Sequence, residues 1–361
     1  MSTKTIQKAE EAYTETFEYR DQPPSDIVTY NELRSCADLN RLYTTGQLEI
    51  QPDFQRDVVW SDPDQTRFID SLVKQLPIPS MCFSYDFTNR SWKVIDGLQR
   101  MSSIVRLLGN DKWRLSRLDD IDPRLSGIDA ALLRDKDSEL RELYDRVENI
   151  ALPITILRCD YSKESHMEYL FTIFHRLNAG GARLNNQEIR NCIYSGTFNN
   201  LLRKLNSDPL WPSILSHING KKDRFRSVEL ILRFFAFYTD RASYKSNLPR
   251  FLNLFMLKNR SIDDASINES RDLFRSTAQF VVEKLLPLLD GRKLGFSQAE
   301  ALLVGVASNI ETLPQVKPAD LSLKLSNFFA LDSLSSSALA SDISRKELVL
   351  KRLQDAIGVF S

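Results

Sequence analysis

Hydrophobic positions in the first half of the chain switch between helical and extended spacing. Helical spacing predicts one helix over 31–46, ending at Gly46, and another after Ser61, where Pro63 and acidic residues suit the first turn. Two extended runs, SMCFSYDF and SWKVID, flank a turn-like TNR and predict a hairpin. The following GLQRMSSIVRLLG returns to helical spacing, so IDGLQR is predicted where a strand turns into a helix.

The rest of the chain becomes progressively helical. Residues 111–147 are charged and predict a surface insertion, whereas ALPITILRC predicts a buried strand. A helix follows in KESHMEYLFTIFHRLN, then a glycine turn and a second helix around NNQEIRNCIY. Beyond about Ser195 nearly every segment is helical. We therefore predict an α+β architecture: a polar, weakly packed N-terminal arm (1–25), a mixed domain (26–195) and an all-helical domain (196–361).

Composition excludes several function classes. Lys plus Arg equals Asp plus Glu at 48 each, so no overall field attracts nucleic acid, and DNA contact requires a local patch. The four cysteines show no metal or redox spacing and predict reduced thiols. We expect a cytoplasmic protein, because the polar N-terminus lacks a signal-peptide core and no apolar run reaches membrane-spanning length.

One local basic cluster is a candidate for DNA contact. It consists of Lys221, Lys222, Arg224 and Arg226, although such clusters are more often solvated loops.

The strand-to-helix turn at IDGLQR is the main candidate for chemistry. A helix N-terminus offers unpaired backbone N–H groups to an anion, and Gly97 permits close approach. Arg100 adds a permanently charged fork for phosphate oxygens, and Gln99 adds an amide donor. Asp96 would repel a phosphate directly, so three roles are open for it: ligand to Mg²⁺, orienter of water, or partner that holds Arg100.

Each candidate also has a purely structural interpretation. A strand followed by Asp-Gly is a common turn in proteins that bind nothing. Trp60 and Trp92 suit the core better than a base-stacking surface, and His175 suits apolar packing better than base catalysis. The segment alone therefore does not establish a phosphate site.

Four ordered segments together resemble a known family. They are PDFQRDVVW, the helix with PIPS after it, VIDGLQRMSSIVRLL and FHRLNAGGARLNNQEIRN, spanning roughly Tyr30 to Ser195. This set is similar to the GmrSD restriction endonuclease N-terminal domain family, also called domain of unknown function 262 (DUF262). The resemblance implies a ParB/sulfiredoxin-like N-terminal domain with a small mixed sheet, in which the helix after a DGQQR-type motif handles nucleotide phosphates.

The resemblance also carries residue roles to this chain. Asp96 and Arg100 become the candidate catalytic residues, with Asp96 as the candidate Mg²⁺ ligand. Leu98 replaces a frequent glutamine, which puts the polar role of that position in doubt. The candidate phosphate-binding residues are Gln55, Arg56, Gly97, Gln99, Ser102, Asn178, Gly181 and Arg183.

Three functions follow as hypotheses. The first is a nucleoside triphosphate-binding protein of bacterial anti-phage or DNA-restriction type that hydrolyses or senses its ligand with Mg²⁺. The second is a DNA-nicking nuclease using the same motif, and the third is a non-catalytic module that binds DNA or a partner. A separate nuclease or other defence protein and a second copy of the chain are further candidate partners. A histidine-rich metal nuclease is hard to build in the helical half, where His217 is the sole histidine.

Overall fold

The structure, a computed structural model, describes residues 3–16, 22–50, 60–177, 184–220, 224–340 and 343–361. The chain folds into two units. The first, here called the sheet unit, comprises Arg20–Arg183. The second, the helical unit, combines Met1–Tyr19 with Leu184–Ser361. The division therefore falls about a dozen residues before the predicted boundary at 195.

A five-stranded mixed sheet organises the sheet unit. In the order β1-β5-β3-β4-β2, the pairs β1·β5 and β3·β4 are antiparallel, whereas β5·β3 and β4·β2 are parallel. The predicted hairpin is confirmed as β3·β4, and the predicted buried strand is confirmed as β5. The strands are β1 (Val28–Ser35), β2 (Leu48–Glu49), β3 (Met81–Asp86), β4 (Ser91–Asp96) and β5 (Ala151–Cys159).

Helices cover this sheet. The predicted helix after Ser61 is confirmed over Asp62–Val73. Ser61 caps it, because its hydroxyl accepts from the Asp64 N–H while the Asp64 carboxylate accepts from the Ser61 N–H. Numbered along the whole chain, the helices of the sheet unit are α2 (Cys36–Thr44), α3 (Asp62–Val73), α4 (Leu98–Leu108), α5 (Ala130–Arg134), α6 (Arg141–Asn149) and α7 (Glu164–Leu177).

The core of the sheet unit reaches further than its charge pattern predicts. Residues 111–147 were predicted to be a surface insertion, yet they bury Trp113, Leu115 and Leu125 and contribute α5 and α6. Exposed charges alternate there with apolar side chains that reach the core, and the local charge pattern does not reveal this packing. The same core contains Leu72, Phe83, Ile104, Leu107, Ile154 and Ile156.

The predicted helix over 31–46 was wrong in its first part. Residues up to Ser35 form the edge strand β1, which pairs along its length with β5, and the helix begins only at Cys36 with Ser35 as its cap. Leu33 lies on this strand with 71% of its surface exposed, so it contributes to a helical pattern without facing the core. Pairing with β5, a partner more than 100 residues away, overrides that local spacing.

The elements described between 184 and 361 are helical. The helix α14 is buried on almost every side, as expected for an apolar helix at the centre of a bundle. No helix among the described residues is long and apolar enough to span a membrane. The helices are α1 (Thr3–Glu15), α8 (Asn186–Ile193), α9 (Thr197–Asn206), α10 (Trp211–Ser216), α11 (Arg224–Asp240), α12 (Leu248–Lys258), α13 (Asp264–Phe280), α14 (Phe296–Ala307), α15 (Pro318–Ala330), α16 (Ser336–Ala340) and α17 (Lys346–Phe360).

The N-terminal segment differs from the weakly packed arm that its sequence predicts. Over Thr3–Glu15 it forms α1, which belongs to the helical unit. The Glu10 carboxylate accepts a hydrogen bond of 2.8 Å from the Ser297 N–H, and the Thr14 hydroxyl accepts one of 2.6 Å from Arg233. Polar contacts hold this helix, which explains why it lacks the apolar periodicity of a packed element.

Arg233 is the centre of a buried charge network in the helical unit. Its Nε donates to Glu229 at 3.0 Å and its Nη1 to Glu300 at 3.2 Å. Arg190 donates to the other oxygen of Glu229 at 3.0 Å, and Arg352 donates to Glu300 at 3.3 Å. All five side chains are at most 3% exposed. This network links α8, α11, α14 and α17.

Cysteines are consistent with the predicted reduced thiols. None of the four forms a disulfide bond in the described part of the chain, and Cys36, Cys82 and Cys159 are buried. Burial raises the pKa of each of these three thiols to about 12, so they stay protonated and unreactive.

Candidate functional site

The turn between β4 and α4 has the predicted strand-to-helix geometry. Strand β4 ends at Asp96, Gly97 occupies the N-cap, and α4 begins at Leu98. Glycine has no side chain to accept hydrogen bonds from the first-turn N–H groups of the helix. These groups, together with the positive end of the helix dipole, favour an anion at this place.

Packing alone accounts for glycine at position 97. Its φ of +95° lies in the left-handed region, and a Cβ added there would come within 2.5 Å of Met81 Cγ. Met81 is fully buried in β3, so it has little room to move. Close approach of a phosphate is therefore not needed to explain this glycine, although the glycine would permit such an approach.

Arg100 is fixed beside the turn by two hydrogen bonds. Its Nη2 donates to Asp96 Oδ2 at 2.8 Å, and its Nη1 donates to the Pro79 carbonyl oxygen. Its side chain is 14% exposed, and burial lowers the pKa of its guanidinium despite the attraction of Asp96. A guanidinium carries five N–H donors, so three remain for a ligand once these two are used. Three roles were open for Asp96, and the geometry shows one of them: its carboxylate holds Arg100.

A cleft of about 540 Å³ lies beside α4. Gln99 and Ser102, both candidate phosphate ligands, line it from one face of the helix. The Gln99 amide oxygen accepts a hydrogen bond of 3.2 Å from the Trp60 N–H, whereas the Ser102 Oγ is buried without a hydrogen-bond partner among the described residues. Asp96, Gly97 and Arg100 thus lie together at the turn. Gln99 and Ser102 line the cleft beside it.

The cleft includes residues that the sequence reasoning missed. Arg106 and Gln65 line it, and Arg106 donates to Asp62 at 2.6 Å and to Gln65 at 3.2 Å. The polar spacing of Gln99, Ser102 and Arg106 along α4 was the signal that could have revealed this face. Trp60 also lines the cleft, packed edge to face on Phe68, whereas Trp92 is buried and stacked on Tyr85, as its core interpretation predicts.

Several predicted residues cannot be placed at this site. Gln55, Arg56, Asn178, Gly181 and Arg183 lie outside the described residues, and so do Lys221 and Lys222. Their candidate roles stay predictions.

Arg226, from the basic cluster, packs within the helical unit. It is the third residue of α11, which begins at Arg224. The Arg226 guanidinium lies 4.7 Å from the centre of the Phe296 ring and 4.0 Å from the Glu10 carboxylate, with 18% of the side chain exposed. It therefore has structural partners, which argues against its predicted role as a DNA contact.

Histidines of the described segments have structural partners as well. His166 is buried, accepts at Nδ1 from the Asp160 N–H at 2.9 Å and lies 2.8 Å from Asp26 through Nε2. His217 contacts the Ser213 carbonyl oxygen at 2.9 Å. Within the described ranges, no group of three or more His, Cys, Asp or Glu residues is arranged to hold a metal ion.

Comparison with known proteins agrees with the four ordered sequence segments. A search of curated proteins returned no match. A match to a family model does cover residues 38–195, from α2 through the turn at Gly97 to α8. Residues 38–195 are therefore similar to the family described as the GmrSD restriction endonuclease, N-terminal domain.

Proposed function

We propose that the sheet unit binds a nucleoside triphosphate at the N-terminus of α4, as part of a restriction or anti-phage function. The observation that carries this proposal is Arg100. Asp96 and the Pro79 carbonyl hold its guanidinium next to the first turn of α4, with three N–H donors remaining. A fixed arginine beside a helix N-terminus is suited to the β- and γ-phosphates of a nucleotide.

Family membership supports the same proposal. The matched family is that of a restriction endonuclease N-terminal domain, which suggests a restriction or anti-phage role. The mixed sheet, with a strand that turns into a helix at Asp-Gly, is compatible with the ParB/sulfiredoxin-like fold that this family implies. Under this proposal a separate nuclease, or another defence protein, responds to the nucleotide-bound state.

Mg²⁺ would reach this site together with the phosphates. It usually binds through one or two carboxylates plus phosphate oxygens and water, so a preformed cluster of acids is not required. Asp96 is the carboxylate at the turn; one of its oxygens holds Arg100, and 40% of its side chain is exposed. Bound Mg²⁺ would neutralise phosphate charge, and Asp96 would serve both as its ligand and as the partner that orients Arg100.

Calorimetric titration of the full chain with each ribonucleoside triphosphate, with and without Mg²⁺, tests this function. Losing a charge-assisted hydrogen bond costs about 1.5–3 kcal/mol, so Arg100→Gln should weaken binding roughly tenfold to a hundredfold. Arg141→Gln is the matched control, because Arg141 also forms a pair with an aspartate four positions away, on α6. Equal affinities for wild type, Arg100→Gln and Arg141→Gln would refute the proposal.

Asp96→Asn separates the metal role from the phosphate role. With Mg²⁺ present, this variant should bind the nucleotide more weakly, because the carboxylate ligand is lost. Without Mg²⁺ it should bind more tightly, because a negative charge no longer repels the phosphates. A change of the same sign under both conditions would contradict the assignment of Asp96.

Phosphate release and plasmid integrity separate the proposed activity from its alternatives. Hydrolysis predicts phosphate release that both substitutions reduce. Retained binding without release would indicate a nucleotide-sensing module without turnover. Metal-dependent nicking of plasmid that disappears in Asp96→Asn would instead support the nuclease hypothesis.

A further inference from the structure

The cleft beside α4 is a second feature of the sheet unit, distinct from the turn at Gly97. Its walls come from the first turns of α3, from the face of α4 that presents Gln99 and Ser102, and from the aromatic side chains of Tyr43 and Trp60. A volume of about 540 Å³ lies within the roughly 300–1,000 Å³ typical of small-molecule sites.

Charge makes this cleft unsuitable for phosphate groups, so Ser102, which lines it, is assigned here to the nucleoside instead of its predicted phosphate-binding role. Among its described lining residues, Arg106 is the cation, and Asp62 and Asp111 are the carboxylates. The Arg106 guanidinium is already engaged, since it donates to Asp62 and Gln65 and lies 4.5 Å from the centre of the Trp113 ring. The cleft therefore favours an uncharged group that carries hydroxyl or amino donors for the carboxylates.

Ser102, one of the residues that line the cleft, has an unused hydrogen-bonding group. Its Oγ is buried and has no partner among the described residues. A buried polar atom without a partner costs about 1–3 kcal/mol, and such atoms in folded proteins usually have a role in binding or are satisfied by water. A hydroxyl or a ring nitrogen of a ligand in the cleft would satisfy it.

An aromatic side chain is held in place at the same cleft. The backbone N–H of Trp60 donates to the Gln99 amide oxygen, and its backbone carbonyl accepts from Gln65 at 3.0 Å. Its ring packs edge to face on the Phe68 ring, with 5.5 Å between ring centres. An ordered aromatic ring offers a stacking surface worth about 1–3 kcal/mol to a planar base. Tyr43 adds a second aromatic side chain to the lining.

We propose that this cleft receives the ribonucleoside part of the nucleotide whose phosphates lie at the N-terminus of α4, an assignment that rests on the proposed function. The base stacks on Trp60, the Ser102 hydroxyl hydrogen-bonds to the nucleoside, and the carboxylate of Asp111 accepts from ribose hydroxyls. Gln99 connects the two parts of the site, because it lies in the first turn of α4 and also lines the cleft.

The test compares a nucleoside triphosphate with inorganic triphosphate on the full chain. Ser102→Leu fills the cleft and should weaken binding of the nucleoside triphosphate at least tenfold while leaving the affinity for inorganic triphosphate unchanged. Ser102→Ala should keep or raise the melting temperature, because it removes an unpartnered polar atom, and should still weaken nucleotide binding severalfold. Ser71→Leu is the control: Ser71 is a half-buried serine on α3 that does not line the cleft.

Each outcome has one meaning. Absence of any nucleotide or triphosphate binding in the wild type would overturn both the proposed function and the cleft assignment. Nucleotide binding that Arg100→Gln weakens, but that Ser102→Leu and Ser102→Ala leave unchanged, would overturn the cleft assignment alone. Equal losses for nucleoside triphosphate and inorganic triphosphate in Ser102→Ala would likewise refute a nucleoside-specific cleft.

Discussion

Charged side chains have different surroundings in the sheet unit and in the helical unit. In the sheet unit, Arg100 and Asp96 form a pair at the surface, 14% and 40% exposed. In the helical unit, Arg233 pairs with Glu229 and Glu300, and none of these three side chains is more than 3% exposed. The charges around Arg233 are thus far more deeply buried than the pair at the proposed phosphate site.

The difference shows that burial of a charge does not by itself indicate function. Every nitrogen of the Arg233 guanidinium donates to Glu229, Glu300 or Thr14, so little capacity remains for a ligand. Burial alone would lower the pKa of Arg233, but the carboxylates of Glu229 and Glu300 outweigh it and hold the pKa above its usual value. Among the described residues, Arg100 uses two of its five donors, which leaves it able to bind an anion.

Breaking the buried network should give the largest effect on stability. Arg233→Met preserves much of the side-chain volume but leaves Glu229 and Glu300 without their shared cation. Removing one partner of a buried ion pair costs about 3–5 kcal/mol, and we expect a loss of this size in the free energy of unfolding. Chemical denaturation followed by circular dichroism measures it.

The comparison between units supplies the control for this prediction. Glu347→Gln, in a pair whose side chains are 60% and 68% exposed, should leave the unfolding midpoint almost unchanged. Nucleotide affinity of Arg233→Met, measured well below its melting temperature, should equal that of the wild type. A large loss of affinity in this folded variant would show that the network contributes to the binding site.

Gly97→Ala should have the next largest effect. The left-handed conformation costs an L-residue about 1–2 kcal/mol and overpacking costs about 1–3 kcal/mol, so we expect a loss of roughly 2–5 kcal/mol. Gly46→Ala is the matched control, because Gly46 also has a positive φ, +71°, but has nothing within 4 Å of an added Cβ. It should cost about 1–2 kcal/mol. Equal losses would show that contact with Met81 does not determine the residue at position 97.

The sequence predicts the sheet unit's central elements well. The hairpin, α3 and α4 follow from alternation, a capping serine and apolar spacing, because in these elements the local pattern and the tertiary packing agree. The edge strand β1 was missed because its pairing partner is distant and its Leu33 is exposed. The DGLQR segment was correctly predicted to lie where a strand turns into a helix. The cleft beside it was not predicted, because a cleft depends on how α2, α3 and α4 pack together.

The helical unit shows a different limit of sequence reasoning. Its apolar helices were predicted, but α1 was not, because its buried residues include Glu10 and Thr14, which bond to Ser297 and Arg233. Hydrophobic periodicity detects elements that pack through apolar contacts. An element anchored by buried polar groups has the composition of a solvated arm, and its partners lie more than 200 residues away.

The smallest expected effect is the pH dependence that Glu15, on α1, gives to the free energy of unfolding. Burial, together with repulsion by Glu229, raises the pKa of Glu15 from 4.5 to about 7, against the attraction of Arg190 and Arg233 and a hydrogen bond from the Asn186 N–H. A carboxyl group with a higher pKa in the folded state binds its proton more tightly there than in the unfolded chain. Its contribution to the free energy of unfolding is therefore greatest below about pH 4.5 and is lost as the pH rises towards about 7.

Glu15→Gln should remove this dependence, so that the variant becomes more stable than the wild type as the pH rises from 5 to 8. The Glu15 carboxyl group lies among protein groups, but the residue as a whole is solvent-exposed, and solvent screening reduces the effect. We therefore expect a difference of about 1 kcal/mol at pH 8, well below the roughly 3 kcal/mol that a shift from 4.5 to about 7 would give at 1.36 kcal/mol per pKa unit. Urea unfolding at pH 5, 6, 7 and 8 measures it, with Glu11→Gln, another exposed glutamate of α1, as the control. If both variants changed with pH in parallel, the effect would belong to the net charge of α1 rather than to the repulsion between Glu15 and Glu229. The contrast between the two units would then rest on Arg233 and Arg100 alone.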